Sequence, residues 1–191
     1  MSSRIELEKS YYVDDEKLLL ENINKNGFEK VEDSVEEDTY FSDKEETFIK
    51  DRVCLRTRLT NESNLELTFK AASSEITELF GKREVNLSLN KEDYEDTIFM
   101  LVALGFKKYV SFKKHRITYS KVIRGLEHNI MLDEIDGIGK FVELEIIADD
   151  SIDKEVLHEE LVKFLEEMNV SSFKEKNEPY RDIVKNAESS K

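Results

Sequence analysis

Leu132-Asp133-Glu134-Ile135-Asp136-Gly137-Ile138-Gly139-Lys140-Phe141-Val142-Glu143-Leu144-Glu145-Ile146-Ile147 is the stretch that decides the fold. Val142, Leu144 and Ile146 alternate with Glu143 and Glu145, so one face of a strand is apolar and the other carries two carboxylates. Asp136-Gly137-Ile138-Gly139 is a turn, and it predicts a hairpin between strands over Val122–Glu134 and Lys140–Ile147.

The same period of two recurs upstream. It predicts strands over Arg4–Val13, within Phe28–Phe41, and over Val53–Thr60, Asn64–Ala72, Lys82–Leu89 and Phe106–Tyr119. Asn61-Glu62-Ser63-Asn64 is a turn between two of them. One helix opens at Asp14/Asp15 and closes at Gly27. Asn90 caps another over Lys91–Leu104, with Tyr94, Ile98, Leu101 and Val102 on its apolar stripe. A third spans Asp153–Met168, and a short one follows Pro179. Eight strands, few helices and short connections predict an all-β core with flanking helices (α+β), built as an eight-stranded antiparallel barrel rather than a parallel sheet. A single domain is expected over 1–191, with the barrel at about 4–148 and C-terminal helices at about 153–187.

With 43 acidic and 29 basic residues among 191, the net charge is −14. That charge repels nucleic acid and anionic membranes, so neither is an expected partner. No apolar run reaches the ~18–20 residues of a membrane span, and the first nine residues lack a signal-peptide core. The single Cys54 excludes an internal disulfide and a cysteine zinc cluster. A cytoplasmic location is expected.

The charged faces are sorted by sign. Glu6 and Glu8 lie opposite Ile5 and Leu7, as Glu143 and Glu145 lie opposite Val142, Leu144 and Ile146. Arg56 and Arg58 oppose Leu55; Glu66, Thr68 and Lys70 oppose Leu65, Leu67 and Phe69; Lys114 and Arg116 share a face with Phe112 and Thr118. Any one of these strands alone reads as an ordinary amphipathic strand with a wetted face. A wetted face usually mixes signs, however, because like charges two residues apart repel. Five bases on inward faces (Arg56, Arg58, Lys70, Lys114, Arg116) suit a linear polyanion. The carboxylates Glu6, Glu8, Asp133, Glu143 and Glu145 suit a hard cation such as Mg²⁺ or Mn²⁺. A lipocalin-like carrier would need an apolar interior, which these pairs contradict.

The blocks Ile5-Glu6-Leu7-Glu8, Asp38-Thr39-Tyr40-Phe41, Leu55-Arg56-Thr57-Arg58, Leu67-Thr68-Phe69-Lys70, Arg83-Glu84, Lys114-His115-Arg116 with Tyr119, Leu132-Asp133 and Gly137–Glu145 follow one another in a fixed order. Together they resemble the CYTH superfamily, the triphosphate tunnel metalloenzymes, over Arg4 to Ile147, with an echo at Pro179–Ile183. That superfamily includes class IV adenylate cyclases, thiamine triphosphatases and inorganic triphosphatases, and the Asp133–Glu145 region looks closest to the cyclase branch. The resemblance implies a tunnel in which Glu6, Glu8, Asp133, Glu143 and Glu145 serve a divalent metal. It implies phosphate ligands at Arg56, Arg58, Lys70, Arg83, Lys114 and Arg116, with Glu66 and Glu84 orienting the bases. The implied substrate is a small triphosphate: ATP, tripolyphosphate or thiamine triphosphate. A homodimer is open to such a protein.

One position departs from the family. Its N-terminal signature is Glu-x-Glu-x-Lys, and Ser10 holds the lysine position here. Lys9 is adjacent, but alternation points it to the other face. A lysine there is a candidate for activating water, so its loss hurts a hydrolase more than a cyclase, whose nucleophile is a ribose hydroxyl. The expected activity is therefore cyclisation of ATP to cyclic AMP and pyrophosphate. Triphosphate hydrolysis and a non-catalytic nucleotide sensor are the alternatives. His115 is expected outside the tunnel, His128 and His158 have no partner at metal spacing, Tyr11 and Tyr12 read as packing residues, and Cys54 as a small hydrophobe on the outward face.

Overall fold

A computed structural model describes residues 4–72, 84–149 and 151–190. Among them are eight strands: β1 (Arg4–Tyr12), β2 (Glu29–Ser42), β3 (Cys54–Thr60), β4 (Asn64–Lys70), β5 (Glu84–Asn90), β6 (Lys107–Ile123), β7 (Leu126–Ile135) and β8 (Gly139–Asp149). The helices are α1 (Glu16–Lys25), α2 (Thr47–Lys50), α3 (Tyr94–Ala103), α4 (Lys154–Met168) and α5 (Tyr180–Ser189). The strands form one sheet in the order β1-β8-β7-β6-β2-β3-β4-β5. This is the expected antiparallel β core with flanking helices.

The chain separates into two compact units. One comprises Met1–Asp33 with His115–Pro179, the other Ser34–Lys114 with Tyr180–Lys191, and β2 and β6 each contribute residues to both.

In the first unit, β1 pairs with β8 and β8 with β7. Their apolar faces, carrying Ile130, Val142, Leu144 and Ile146, are covered by α1 and α4. Asp15 caps α1 by accepting from the Leu18 amide at 3.0 Å, and Leu19 and Ile23, four residues apart, are its buried stripe. Asp153 caps α4 in the same way, and Leu157, Leu161, Phe164 and Met168 point inward at helical spacing. Phe28 stacks on Phe164 with ring centroids 5.6 Å apart. Beyond α4 the chain returns to β1: the Tyr12 amide donates to Lys174 O at 2.9 Å and the Lys176 amide to Ser10 O at 2.7 Å. Residues 174–176 thus run beside β1 through a single antiparallel bridge, with Tyr11 opposite Glu175.

The hairpin between β7 and β8 turns where expected, with Gly137 at φ 67°. The turn between β6 and β7 does not. It lies at Arg124-Gly125, both at positive φ, with Ile123 opposite Leu126. The sequence reading ended the strand at Tyr119 and began the next at Val122. A two-residue turn with positive φ at both positions matches the right-handed twist of the flanking strands.

In the second unit, α3 lays Ile98 and Leu101 on Phe41 and Leu55, with Tyr94, Phe48, Leu67 and Phe106 packed around them. Val102, expected on that stripe, is exposed. The single-turn helix α2 had no sequence signal; the Asp43 carboxylate holds it by accepting from the Thr47 amide at 2.7 Å. In register, Asp38 lies opposite Arg58, Tyr40 opposite Arg56, Arg58 opposite Glu66 and Arg56 opposite Thr68. Directly paired residues share a face of a sheet, so these polar side chains are gathered on the face opposite α3.

Candidate functional site

The basic residues of the second unit form a network with acids. Arg58 donates to both oxygens of Asp38 at 2.7 and 2.8 Å and lies 3.0 Å from Glu36. The Lys114 ammonium also lies 3.0 Å from Glu36 and sits 5.2 Å from the Tyr180 ring centroid. Lys70 meets Glu84 at 2.7 Å. Asp38 is fully buried, which alone would raise its pKa. The Arg58 hydrogen bonds, with Arg56 and Lys114, outweigh that and hold it below the usual range.

Arg56 is different. Its ion pairs are long, 3.6 Å to Glu66 and 3.9 Å to Asp38, and its guanidinium donates to Thr68 Oγ1 at 3.1 Å. Its Nε is buried with no hydrogen-bond partner among the described residues. A guanidinium carries five N–H donors, so Arg56 retains capacity for an incoming anion. Glu66 and Glu84 do accompany the bases, at Arg56 and Lys70 respectively. Glu36 and Asp38 were not assigned as site residues from the sequence. Their alternation was the available signal, obscured by Glu37 between them.

The acids of the first unit gather on the sheet face opposite the core. Ser10 lies opposite Glu143, Glu8 opposite Glu145 and Glu6 opposite Ile147, while Asn129 faces Glu145 from β7. Asn129 donates to Glu145 at 3.2 Å and to Glu127 at 3.1 Å. Burial, then the charges of Glu6, Glu8 and Glu143, push the Glu145 pKa up to about 7 against the Asn129 hydrogen bond. Arg116 grips Asp133 at 2.6 and 2.5 Å and Glu143 at 2.6 Å. The Lys176 ammonium lies 3.9 Å from the other Glu143 oxygen. Arg116 and Asp133, expected as a phosphate ligand and a metal ligand, are thus brought together with each other.

Among the described residues no three His, Cys, Asp or Glu side chains converge closely enough to hold an ion as they stand. The donor chemistry nonetheless fits a hard cation: every carboxylate on this face offers oxygen, and burial, joined by the charges of Glu6, Glu8 and Glu143, raises Glu145.

Arg83 lies outside the described residues. Lys9 points away from the acids, as expected, and pairs with Glu175. His115 is exposed and meets Asp33 at 2.6 Å. His128 is a core histidine, edge-on to Phe164, whose burial lowers its pKa. Cys54 corrects the sequence reading: it lies opposite Lys70, on the face of Arg56, because it alternates with Leu55. It is half-buried, and burial pushes its thiol pKa up.

The family pattern of the CYTH domain matches residues 4–180, and the chain belongs to the CYTH family. A relative from Methanocaldococcus jannaschii, "Putative adenylate cyclase MJ0240", is 30% identical over 167 residues, covering 87% of this chain and 91% of the relative. The X-ray structure of a putative adenylate cyclase from Vibrio parahaemolyticus superimposes with a TM-score of 0.74 at 21% identity, covering 94% of this chain and 97% of that one. The Hippeastrum protein HpAC1, described as a putative adenylyl cyclase with a dominant triphosphatase activity, gives a TM-score of 0.67 at 14% identity, with 96% of both chains covered. Both structures share the fold. No described helix is long and apolar enough to cross a membrane.

Proposed function

We propose that this protein is a divalent-cation-dependent enzyme acting on a small triphosphate, and that its reaction is the cyclisation of ATP to cyclic AMP and pyrophosphate. The observation that carries the reading is Glu145, raised to about 7 by burial and by Glu6, Glu8 and Glu143. A surface that gathers carboxylates against their own repulsion gains most when a cation is bound. Glu6, Glu8, Glu143 and Glu145 would hold Mg²⁺ or Mn²⁺, which would neutralise phosphate charge. Arg56, with donors in reserve, would take phosphate oxygens, joined by Lys70, Lys114 and Arg83. Arg58 is fixed by Asp38 and Glu36, and Arg116 by Asp133 and Glu143, so each adds fixed positive charge in a set geometry.

In the cyclisation the ribose 3′-oxygen bonds to the α-phosphorus, the bond from that phosphorus to pyrophosphate breaks, and the hydroxyl proton is released. No water is consumed, and positioning lowers much of the barrier. The name of the Methanocaldococcus jannaschii relative supports this choice. One CYTH domain over 1–191 is part of the reading. A second reading, hydrolysis of tripolyphosphate or thiamine triphosphate, is favoured by Lys176, which keeps an ammonium near Glu143 although Ser10 has none.

The test is a product assay with ATP and with tripolyphosphate, each with Mg²⁺ and with Mn²⁺. Cyclic AMP exceeding free phosphate supports the cyclase. Rapid tripolyphosphate hydrolysis without cyclic AMP selects the hydrolase. Tight binding without turnover of either selects a sensor.

A further inference from the structure

We infer that the outward face of α3 is a docking surface for a second copy of this chain, two copies packing these helices antiparallel about a two-fold axis. Thr97-Ile98-Phe99-Met100-Leu101-Val102-Ala103-Leu104 holds no charged residue, so α3 is apolar on every side over its last two turns. Its inward side packs on Phe41 and Leu55 through Ile98 and Leu101. Its outward side carries Phe99, 73% exposed, and Leu104, 69% exposed, with Met100, Val102 and Ala103 also open. Four of the twelve large apolar side chains exposed among the described residues thus fall within six positions of one element. A wetted helix face looks different: α4 turns Glu155, His158, Glu159, Lys163 and Glu166 to solvent. A helix that is apolar all round is normally a buried one, and clustered exposed apolar side chains mark an interface.

The charges at the two ends of the run indicate what covers it. Lys91-Glu92-Asp93-Tyr94-Glu95-Asp96 comes before it, four acids against one base, with Glu92, Glu95 and Asp96 exposed. Glu95 and Asp96 stand one turn before Phe99 and Met100, on the same side of the helix. Lys107 and Lys108, both exposed, follow the run just past the turn at Gly105, where φ is 97°. The surface therefore reads acidic, apolar, basic along the chain. Such a strip is complementary to itself when reversed. In an antiparallel pair the acids of each copy meet the lysines of the other, and Phe99 and Val102 pack across the centre beside the small Ala103. A parallel pair would set like charges together. Because the axis is two-fold, every contact is made twice. With only ten residues in α3 the contact lies at the small end of stable interfaces, so the dimer should exchange with monomer at micromolar concentration.

The experiment is sedimentation velocity on the full chain across micromolar concentrations. The natural protein is expected to show a reversible monomer–dimer equilibrium. Phe99→Glu and Val102→Glu change exposed positions, so circular dichroism and melting temperature should hold, while each raises the dimer dissociation constant by about a hundredfold or more. One chain carrying Glu95→Lys with Asp96→Lys, and another carrying Lys107→Glu with Lys108→Glu, should each be monomeric alone. Mixed, they should form a heterodimer, because both ends then pair opposite charges again. A natural protein that stays monomeric throughout overturns the inference, and flotation of that monomer with phosphatidylcholine vesicles would assign the face to a lipid surface instead. A dimer that survives Phe99→Glu and Val102→Glu also overturns it, by placing the contact elsewhere. Failure of the two charge-reversed chains to pair when mixed overturns the antiparallel arrangement.

Discussion

Glu145 holds its proton to about pH 7, where an ordinary glutamate has lost it near 4.5. A carboxyl raised in the folded state contributes stability below its unfolded pKa, and that contribution is lost as pH rises through the folded value. The cation-free protein should therefore lose stability between about pH 4.5 and 7, and divalent-cation binding should strengthen over the same window. Melting temperature against pH, with and without Mg²⁺, reads both effects, and Glu145→Gln should flatten them. Asp38 works in the opposite sense: it is ionised inside the protein because Arg58 grips it with two hydrogen bonds. Asp38→Asn leaves Arg58 without that ionised partner and should cost about 3–5 kcal/mol in urea denaturation. At this scale the sequence was half legible. Alternation assigned Arg56, Lys70, Glu143 and Glu145 to the charged faces correctly, because a strand's period is two. It could not show that Arg58 and Arg116 are committed to Asp38 and Asp133, because partners across a sheet depend on register.

The helices cover the sheet with residues whose spacing announced them. Phe164 on α4 is buried between Phe28 and His128. Phe164→Ala should destabilise by about 3–5 kcal/mol, measured by denaturant titration, through lost burial and the cavity left behind. The turn at Gly137 was legible because Asp-Gly and a second glycine interrupt an otherwise continuous pattern. The turn at Arg124-Gly125 was not, since Val122 and Ile123 carry the strand pattern up to it and arginine is no turn former. The bridge at 174–176 was invisible for a related reason: what makes it is its pairing with β1 across more than 160 residues of chain.

At the scale of the whole chain, the family was legible because many weak blocks occur in one order, and the match over residues 4–180 agrees. The reaction was less so, since cyclase and hydrolase readings share the same charged residues. Ser10→Lys in the otherwise natural protein should raise tripolyphosphate hydrolysis more than ATP cyclisation, as seen in phosphate release and cyclic AMP yield from parallel assays. A water-consuming reaction gains from an added group that can activate water, whereas cyclisation uses the ribose hydroxyl. The bridged segment at 174–176 has a consequence for solubility. It occupies backbone groups on the side of β1 away from β8, a row that would otherwise be open to pairing with a second chain. Lys176→Pro removes the amide that donates to Ser10 and should uncover that row. Concentration-dependent self-association, followed by light scattering, would then rise despite the repulsion that a net charge of −14 sets between copies.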